Sequence, residues 1–69
     1  MEKGWVKVYS TPRLHEAEIV KAILEDNEIP AVIFNKKDSS YLDFGEIEVY
    51  VKNTDALNAA GIINKVDFE

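Results

Sequence analysis

An amphipathic stretch over residues 11–27 that leads straight into Ile29-Pro30 is the feature that most constrains how this chain can fold. At 100° per residue, its apolar side chains fall on one stripe and its charged side chains fall opposite, which predicts a surface helix packed on something flat. Thr11 is a good N-cap, and Pro12 suits the first helical position. The helix must then end and reverse within a few residues, because Pro30 disfavours helical backbone in the residue before it.

The reversal before Pro30 needs a residue with positive φ, a place that Gly or Asn usually takes. This sequence has Asn27 and Glu28 there instead of a glycine. Asn adopts the left-handed conformation more readily than most residues do. We therefore expect a positive φ at Asn27 or Glu28, with backbone strain if Glu28 is the residue that adopts it.

Three other segments have the alternation, or the β-branched and aromatic content, that is typical of strands. They are residues 5–9, 29–35 and 46–51. The last of these alternates most regularly, with Ile47, Val49 and Val51 pointing inward. The residues expected to be almost completely buried are Val8, Leu24, Ile47 and Val49. Because they come from a helix and two strands, they predict one small core between the helix and a sheet.

The remaining segments complete a β-α-β-β-α order over one domain, residues 1–69. Residues 36–45 include several polar turn formers and predict a loop. Asn53 or Thr54 is expected to cap a second helix, which contains Gly61. A right-handed crossover then makes strands 1 and 2 parallel, with strand 3 between them and antiparallel to both. The fold class is α+β, the split β-α-β arrangement of ferredoxin-like folds with both helices on one face and at most a short fourth strand after residue 65.

Most of the chain, about residues 5–66, resembles a small bacterial family assigned to signal transduction, DUF2007. The resemblance lies in "HEAEIVKAILEDNEIPAVI", in "EIEVYV" and in the Ala-rich closing helix. It implies a ferredoxin-like fold comparable to that of the PII signalling proteins. The family pattern usually has Gly where this chain has Glu28. The resemblance supplies no catalytic residues, because none are established for the family.

Composition excludes several classes of function. A net charge of −5 opposes binding to nucleic-acid phosphates, and the absence of cysteine removes thiolate metal sites and cysteine nucleophiles. No apolar run is long enough to span a membrane, and residues 1–4 do not resemble the start of a signal peptide, so we expect a soluble cytoplasmic protein. His15 is the only histidine and falls on the polar side of the first helix. We therefore expect a non-enzymatic protein without a metal or cofactor.

The candidate interaction surface is the sheet face that the helices leave open. By strand alternation, the residues predicted to lie on this face are Trp5, Lys7, Tyr9, Glu48 and Tyr50. RNA-binding domains of the same architecture stack bases on such aromatics, but carboxylates on the third strand would repel phosphates. The sequence favours contact with another protein or a second copy of the chain, through this face and the edge of strand 1. The alternative is a solvated face whose aromatics pack on one another.

A second candidate region is the loop between strands 2 and 3. Its residues of interest are Lys36, Lys37, Ser39, Ser40 and Tyr41. The lysines could meet an anion, and the hydroxyl groups could be modified. By analogy with the effector loop of PII proteins, the alternative function is a domain that senses a small metabolite or nucleotide. The simpler interpretation is that this loop only connects the two strands at the surface.

Overall fold

The computed structural model describes residues 4–35 and 46–66. In chain order, its elements are β1 (Trp5–Thr11), α1 (Leu14–Asp26), β2 (Ala31–Asn35), β3 (Ile47–Lys52), a 3₁₀ turn (Asn53–Asp55) and α2 (Ala56–Ile63). β1 and β2 both pair antiparallel with β3, which gives a three-stranded sheet in the order β1-β3-β2. The predicted α+β, ferredoxin-like arrangement is confirmed. A short fourth strand beyond residue 66 falls outside the described residues.

The core lies between the sheet and the two helices. Its buried apolar residues are Ala17, Val20, Leu24, Ile29, Ala31, Ile47, Val49, Val51 and Ala59. The inward residues of β3 are completely or almost completely buried, as its alternation predicts. The expected burial of Leu24 is confirmed as well. The prediction was wrong for Val8, which is only half-buried.

A β-bulge at Val8 explains that difference. Lys7 pairs with Tyr50, but the next paired residue of β1 is Tyr9, which lies opposite Val49. Val8 is thus an extra residue on one side of the ladder, and an extra residue shifts the two-residue alternation of everything that follows. Tyr9 therefore shares the helix-covered face with Val49 and packs against the core. The predicted position of Tyr9 beside Lys7 on the open face was wrong for this reason.

The junction between β1 and α1 is held by a hydroxyl and a carboxylate. Thr11 does not cap the helix as predicted; it ends β1, and Arg13 occupies the N-cap position. The Thr11 hydroxyl accepts a hydrogen bond from the Arg13 N–H at 3.1 Å and donates one to Glu16 Oε1 at 2.8 Å. The Arg13 guanidinium lies 3.3 Å from Glu16 Oε2, and the Tyr9 hydroxyl lies 3.4 Å from Glu16 Oε1. A single carboxylate in the first turn of α1 thereby connects the helix to the end of β1.

The hydrogen bond from Thr11 lowers the pKa of Glu16 below its ordinary value of 4.5, the positive charge of Arg13 acts in the same direction, and partial burial opposes both. A carboxyl whose pKa is lowered by folding stabilises the fold above its ordinary pKa, and this contribution disappears as the pH falls through the lower folded value. We expect Thr11→Val to be destabilising at pH 7 and progressively less so below pH 4.5. Urea unfolding across this pH range measures the difference.

Thr11→Ser is the matched control for that prediction, because serine keeps the hydroxyl group. Its cost in unfolding free energy should stay nearly constant with pH. A Thr11→Val variant whose cost is equally constant would contradict the proposed link between Thr11 and Glu16.

The turn from α1 into β2 is a Schellman motif with a strained residue. Glu28 has φ 65°, whereas Asn27 has φ −100°, so the expected positive φ is confirmed at Glu28. The Ile29 N–H bonds to the Leu24 carbonyl and the Glu28 N–H to the Glu25 carbonyl, both at 2.9 Å. This is the bonding pattern that usually accompanies glycine at the left-handed position. Ile29 and Leu24 are both buried, so the core holds the turn in place.

We expect Glu28→Gly to stabilise the protein by a few tenths to about 1 kcal/mol, because glycine removes the left-handed strain but adds entropy to the unfolded chain. Glu28→Ala removes the same charge and keeps the strain, so it should give no gain. The midpoint of urea unfolding compares the two. A midpoint for Glu28→Gly at or below that of Glu28→Ala would contradict this explanation of the turn.

The second helix begins later than the sequence predicts. α2 begins after the 3₁₀ turn with Asp55 at its N-cap, not with a cap at Asn53 or Thr54. Ala59 is buried in the core, whereas Ala60 beside it is exposed. Gly61 has open space where a Cβ atom would lie, so close packing does not require glycine there.

Candidate functional site

The strand register defines which side chains lie on the face of the sheet opposite the helices. Directly paired residues of an antiparallel sheet share a face. One row across this face is Lys7, Tyr50 and Val32, and the next row is Ser10, Glu48 and Phe34. Trp5 pairs with Lys52 at the end of the sheet. We call the resulting surface the open face; its residues are Trp5, Lys7, Ser10, Val32, Phe34, Glu48, Tyr50 and Lys52.

The apolar part of the open face is concentrated on β2 and the middle of the sheet. Val32 is 41% exposed and Phe34 is 47% exposed. Trp5 and Tyr50 are half-buried, so part of each ring still reaches the surface. These four side chains come from all three strands. A surface of this kind, aromatic and apolar with polar groups among its members, is typical of a site of protein contact.

Glu48 is the polar centre of the open face. It lies on β3, between Ser10 and Phe34, and is only 7% exposed. The Tyr50 hydroxyl donates a hydrogen bond to Glu48 Oε1 at 2.9 Å, and Lys7 Nζ lies 3.6 Å from Glu48 Oε2. The sequence predicts the correct face for Glu48 but a solvated carboxylate there. Burial follows from its place on the central strand, because neighbours on both sides shield it from water.

The hydrogen bond to the Glu48 carboxylate raises the pKa of Tyr50 above 10.0, with burial and the negative charge of Glu48 acting in the same direction. Tyr50 is therefore held as a protonated donor. A phenol in this state fixes the orientation of the carboxylate and is poorly suited to act as a base. The Tyr50 hydroxyl thus acts as a hydrogen-bond donor that orients the Glu48 carboxylate on the sheet.

We expect Glu48→Gln to lower the pKa of Tyr50 toward 10.0, since the variant loses the negative charge that favours the protonated phenol and keeps only a neutral amide oxygen as the acceptor. NMR titration of the tyrosine ring carbons measures this value. Glu16→Gln is the matched control, because Glu16 acts on Tyr9, whose pKa is raised mainly by burial and then by Glu16. A Tyr50 pKa that is unchanged in Glu48→Gln would show that the 2.9 Å contact is not kept in solution.

The structure brings together four of the residues that the sequence predicts for the interaction surface: Trp5, Lys7, Glu48 and Tyr50. Tyr9 lies on the other face because of the bulge. Val32 and Phe34 were not singled out from the sequence, although the alternation of residues 29–35 contained the signal. The candidate loop residues lie outside the described part of the chain; they are Lys36, Lys37, Ser39, Ser40 and Tyr41.

Other polar and concave features are separate from the open face. His15 is exposed on α1, and the described residues contain no cluster of three or more side chains that could hold a metal ion. A shallow groove of about 470 Å³ lies between α1 and α2, with Ile19, Ile23 and Ile62 among its lining residues. Another, of about 360 Å³, lies beside α1 and β2 and includes Ile33. Both grooves are open to solvent.

The sequence profile of the family described as "Putative prokaryotic signal transducing protein" (DUF2007) matches residues 5–67. The chain belongs to this family. The match covers every helix and strand of the structure, so the resemblance seen in the sequence is confirmed. The family description concerns signal transduction and names no enzymatic activity. No curated protein and no solved structure matches the chain.

The helices of this family member are short. α1 has 13 residues and α2 has eight, so within the described ranges neither has the length or the apolar character of a transmembrane helix.

Proposed function

We propose that this family member is a non-enzymatic signalling module that recognises another protein through its open face. The observation that carries the proposal is the exposure of Val32 and Phe34 beside the half-buried rings of Trp5 and Tyr50. Complete burial of an exposed large apolar side chain stabilises by about 1.5–3 kcal/mol, and the part of each of these four side chains that remains in water represents a fraction of that value. Burial of this patch by another protein would recover part of that free energy.

The polar centre of the face supports recognition by a protein. Glu48 accepts a hydrogen bond from Tyr50 and forms an ion pair with Lys7 within the apolar surroundings. Such a group restricts how a partner can be oriented on the apolar contact. The partner must place an acceptor group near the exposed Lys7 ammonium while it covers the rings. The lysine side chain is 50% exposed, so it can contact a carboxylate of the partner while remaining near Glu48.

Charge supports a protein partner over a nucleic acid. The open face carries Lys7 and Lys52 against Glu48, whereas the chain as a whole has a net charge of −5. Two lysines on a strongly acidic chain are a weak attraction for a phosphate backbone. They suffice to keep this face less acidic than the rest of the protein.

The sequence also predicts partner capture along the edge of β1. In the described sheet β1 is an outer strand, as this prediction requires. However, Lys7 and the bulge at Val8 are both features that hinder the addition of a further strand. The face of the sheet is therefore the better supported surface. The alternative of a metabolite or nucleotide sensor rests on Lys36 and Lys37, outside the described residues, and stays a prediction.

Affinity capture with paired variants tests the proposal. The wild-type chain, Trp5→Lys and Leu57→Lys are immobilised separately and exposed to extract of the native cell at moderate salt. Leu57 is 86% exposed on α2, away from the open face, so Leu57→Lys removes exposed apolar surface of similar kind without touching the site. Quantitative mass spectrometry identifies the proteins retained, and circular dichroism checks that both variants are folded.

We expect at least one protein to be retained by the wild type and by Leu57→Lys but reduced tenfold or more with Trp5→Lys. A tenfold loss corresponds to about 1.4 kcal/mol of binding free energy. The purified partner should then show the same order of affinities by isothermal titration. Equal retention by all three baits, or a loss confined to Leu57→Lys, would contradict binding through the open face.

A further inference from the structure

Two lysines alternate with two aromatic residues at one end of the open face. Trp5 lies opposite Lys52, and the next pair on this face is Lys7 opposite Tyr50. These four residues, which we call the lysine–aromatic corner, form a square on β1 and β3 with the lysines on one diagonal. Diagonal neighbours on a sheet face lie about 7–8 Å apart. Both ammonium groups are therefore within reach of one short segment of a partner.

Every residue of the lysine–aromatic corner reaches solvent. Lys52 is exposed, and the Lys7 side chain is 50% exposed. Trp5 and Tyr50 are half-buried, so part of each ring is accessible. The corner lies where β1 begins and β3 ends, at the opposite end of the sheet from Asn35, the last residue of β2. A partner can therefore contact the cations and the rings at the same time.

The lysine–aromatic corner is positively charged on a chain that is acidic overall. Lys7 Nζ lies 3.6 Å from Glu48 Oε2, so one carboxylate compensates part of the charge of one lysine. Lys52 belongs to none of the ion pairs among the described residues. Two lysines and one carboxylate give the open face a net charge of +1, whereas the whole chain carries −5. The local charge thus has the opposite sign to the net charge.

A partner that covers the two rings also removes water from the two ammonium groups. Taking a charge out of water is costly unless an opposite charge or a hydrogen-bond acceptor replaces the water. A carboxylate meets this need best, because a charge-assisted hydrogen bond is roughly twice as strong as a neutral one. An apolar segment would leave the ammonium groups unsatisfied, and a basic segment would be repelled.

We infer that the partner of the open face contributes an acidic segment, whose carboxylates contact the two lysines of the lysine–aromatic corner while its apolar side chains cover the two rings. The inference rests on the proposed function, since it names the chemistry of the partner for the same surface. The net charge of −5 repels such a segment at long range, so the attraction is confined to the corner. The lysines therefore determine which segment binds and how it lies.

Selection from a displayed library of short random peptides tests the chemistry of the segment. The immobilised wild-type chain is the bait, and each binder is then tested on Trp5→Ala and Val32→Ala, which remove apolar surface of the open face without changing the charge. Val32 is 41% exposed, so Val32→Ala keeps the test valid if circular dichroism shows that Trp5→Ala does not fold. We expect the peptides that lose binding to these variants to be enriched in aspartate and glutamate beside apolar residues.

Two lysine variants test the contact with one such peptide, made synthetically and measured by fluorescence anisotropy. Lys52→Gln removes a lysine of the lysine–aromatic corner, whereas Lys65→Gln removes one that lines the groove between α1 and α2. Both variants make the net charge more negative by one, so the long-range repulsion changes nearly equally. We expect Lys52→Gln to bind the peptide roughly threefold or more weakly than Lys65→Gln does. A peptide with amides in place of its carboxylates should bind the two variants equally, because it lacks the contact.

The outcomes separate this inference from the proposed function. Peptides that require the open face but have no excess of acidic residues would overturn the inference and leave protein recognition through the face standing. Equal affinities of Lys52→Gln and Lys65→Gln for the acidic peptide would do the same. Binders that are unaffected by Trp5→Ala and Val32→Ala, or a library that yields no binder, would contradict the proposed function and this inference with it.

Discussion

The pairing of β3 with both other strands is the interaction on which the rest of this structure depends. β3 is the only strand with a partner on each side in the described sheet, so its alternation assigns the two faces for its neighbours as well. Ile47, Val49 and Val51 point to the helices and form the centre of the core. Glu48 and Tyr50 point the other way and form the polar centre of the open face. The six residues of β3 thus contribute to the core on one face of the sheet and to the candidate site on the other.

The bulge at Val8 decides how the aromatic residues are divided between those two sides. Without it, Tyr9 would lie on the open face and nothing of its ring would reach α1. With it, the Tyr9 ring packs against the core and its hydroxyl lies near Glu16 in the first turn of the helix. One inserted residue therefore moves an aromatic side chain from the open face to the β1–α1 junction, where it helps to hold the helix. It also bends an edge strand in a manner that discourages pairing.

The accuracy of the sequence predictions varied with how strongly each residue prefers one environment. The alternation in β3 predicted its two faces correctly, because valine and isoleucine alternate there with glutamate and tyrosine, which prefer a different environment. Val8 was misplaced because a valine fits a bulge or either face of a strand, so no local pattern marks the extra residue. The helix start was misplaced because the Thr11 hydroxyl has two uses, and only the tertiary position of Glu16 selects one. The positive φ at Glu28 was predictable because the backbone bonds of the reversal require it, whatever the side chain.

Charge is distributed unequally between α1 and the sheet. α1 carries four carboxylates and one lysine, whereas β2 is uncharged and the open face has two lysines and one glutamate. An approaching acidic molecule, including a second copy, is repelled less from the sheet side than from the helix side. In the proposed function, the same asymmetry would favour the approach of a protein partner to the open face. A chain of this size has a small core, so a deep binding pocket would remove a large part of the packing that stabilises it. With four carboxylates on α1 and one on the open face, the sheet side is the less acidic of these two surfaces.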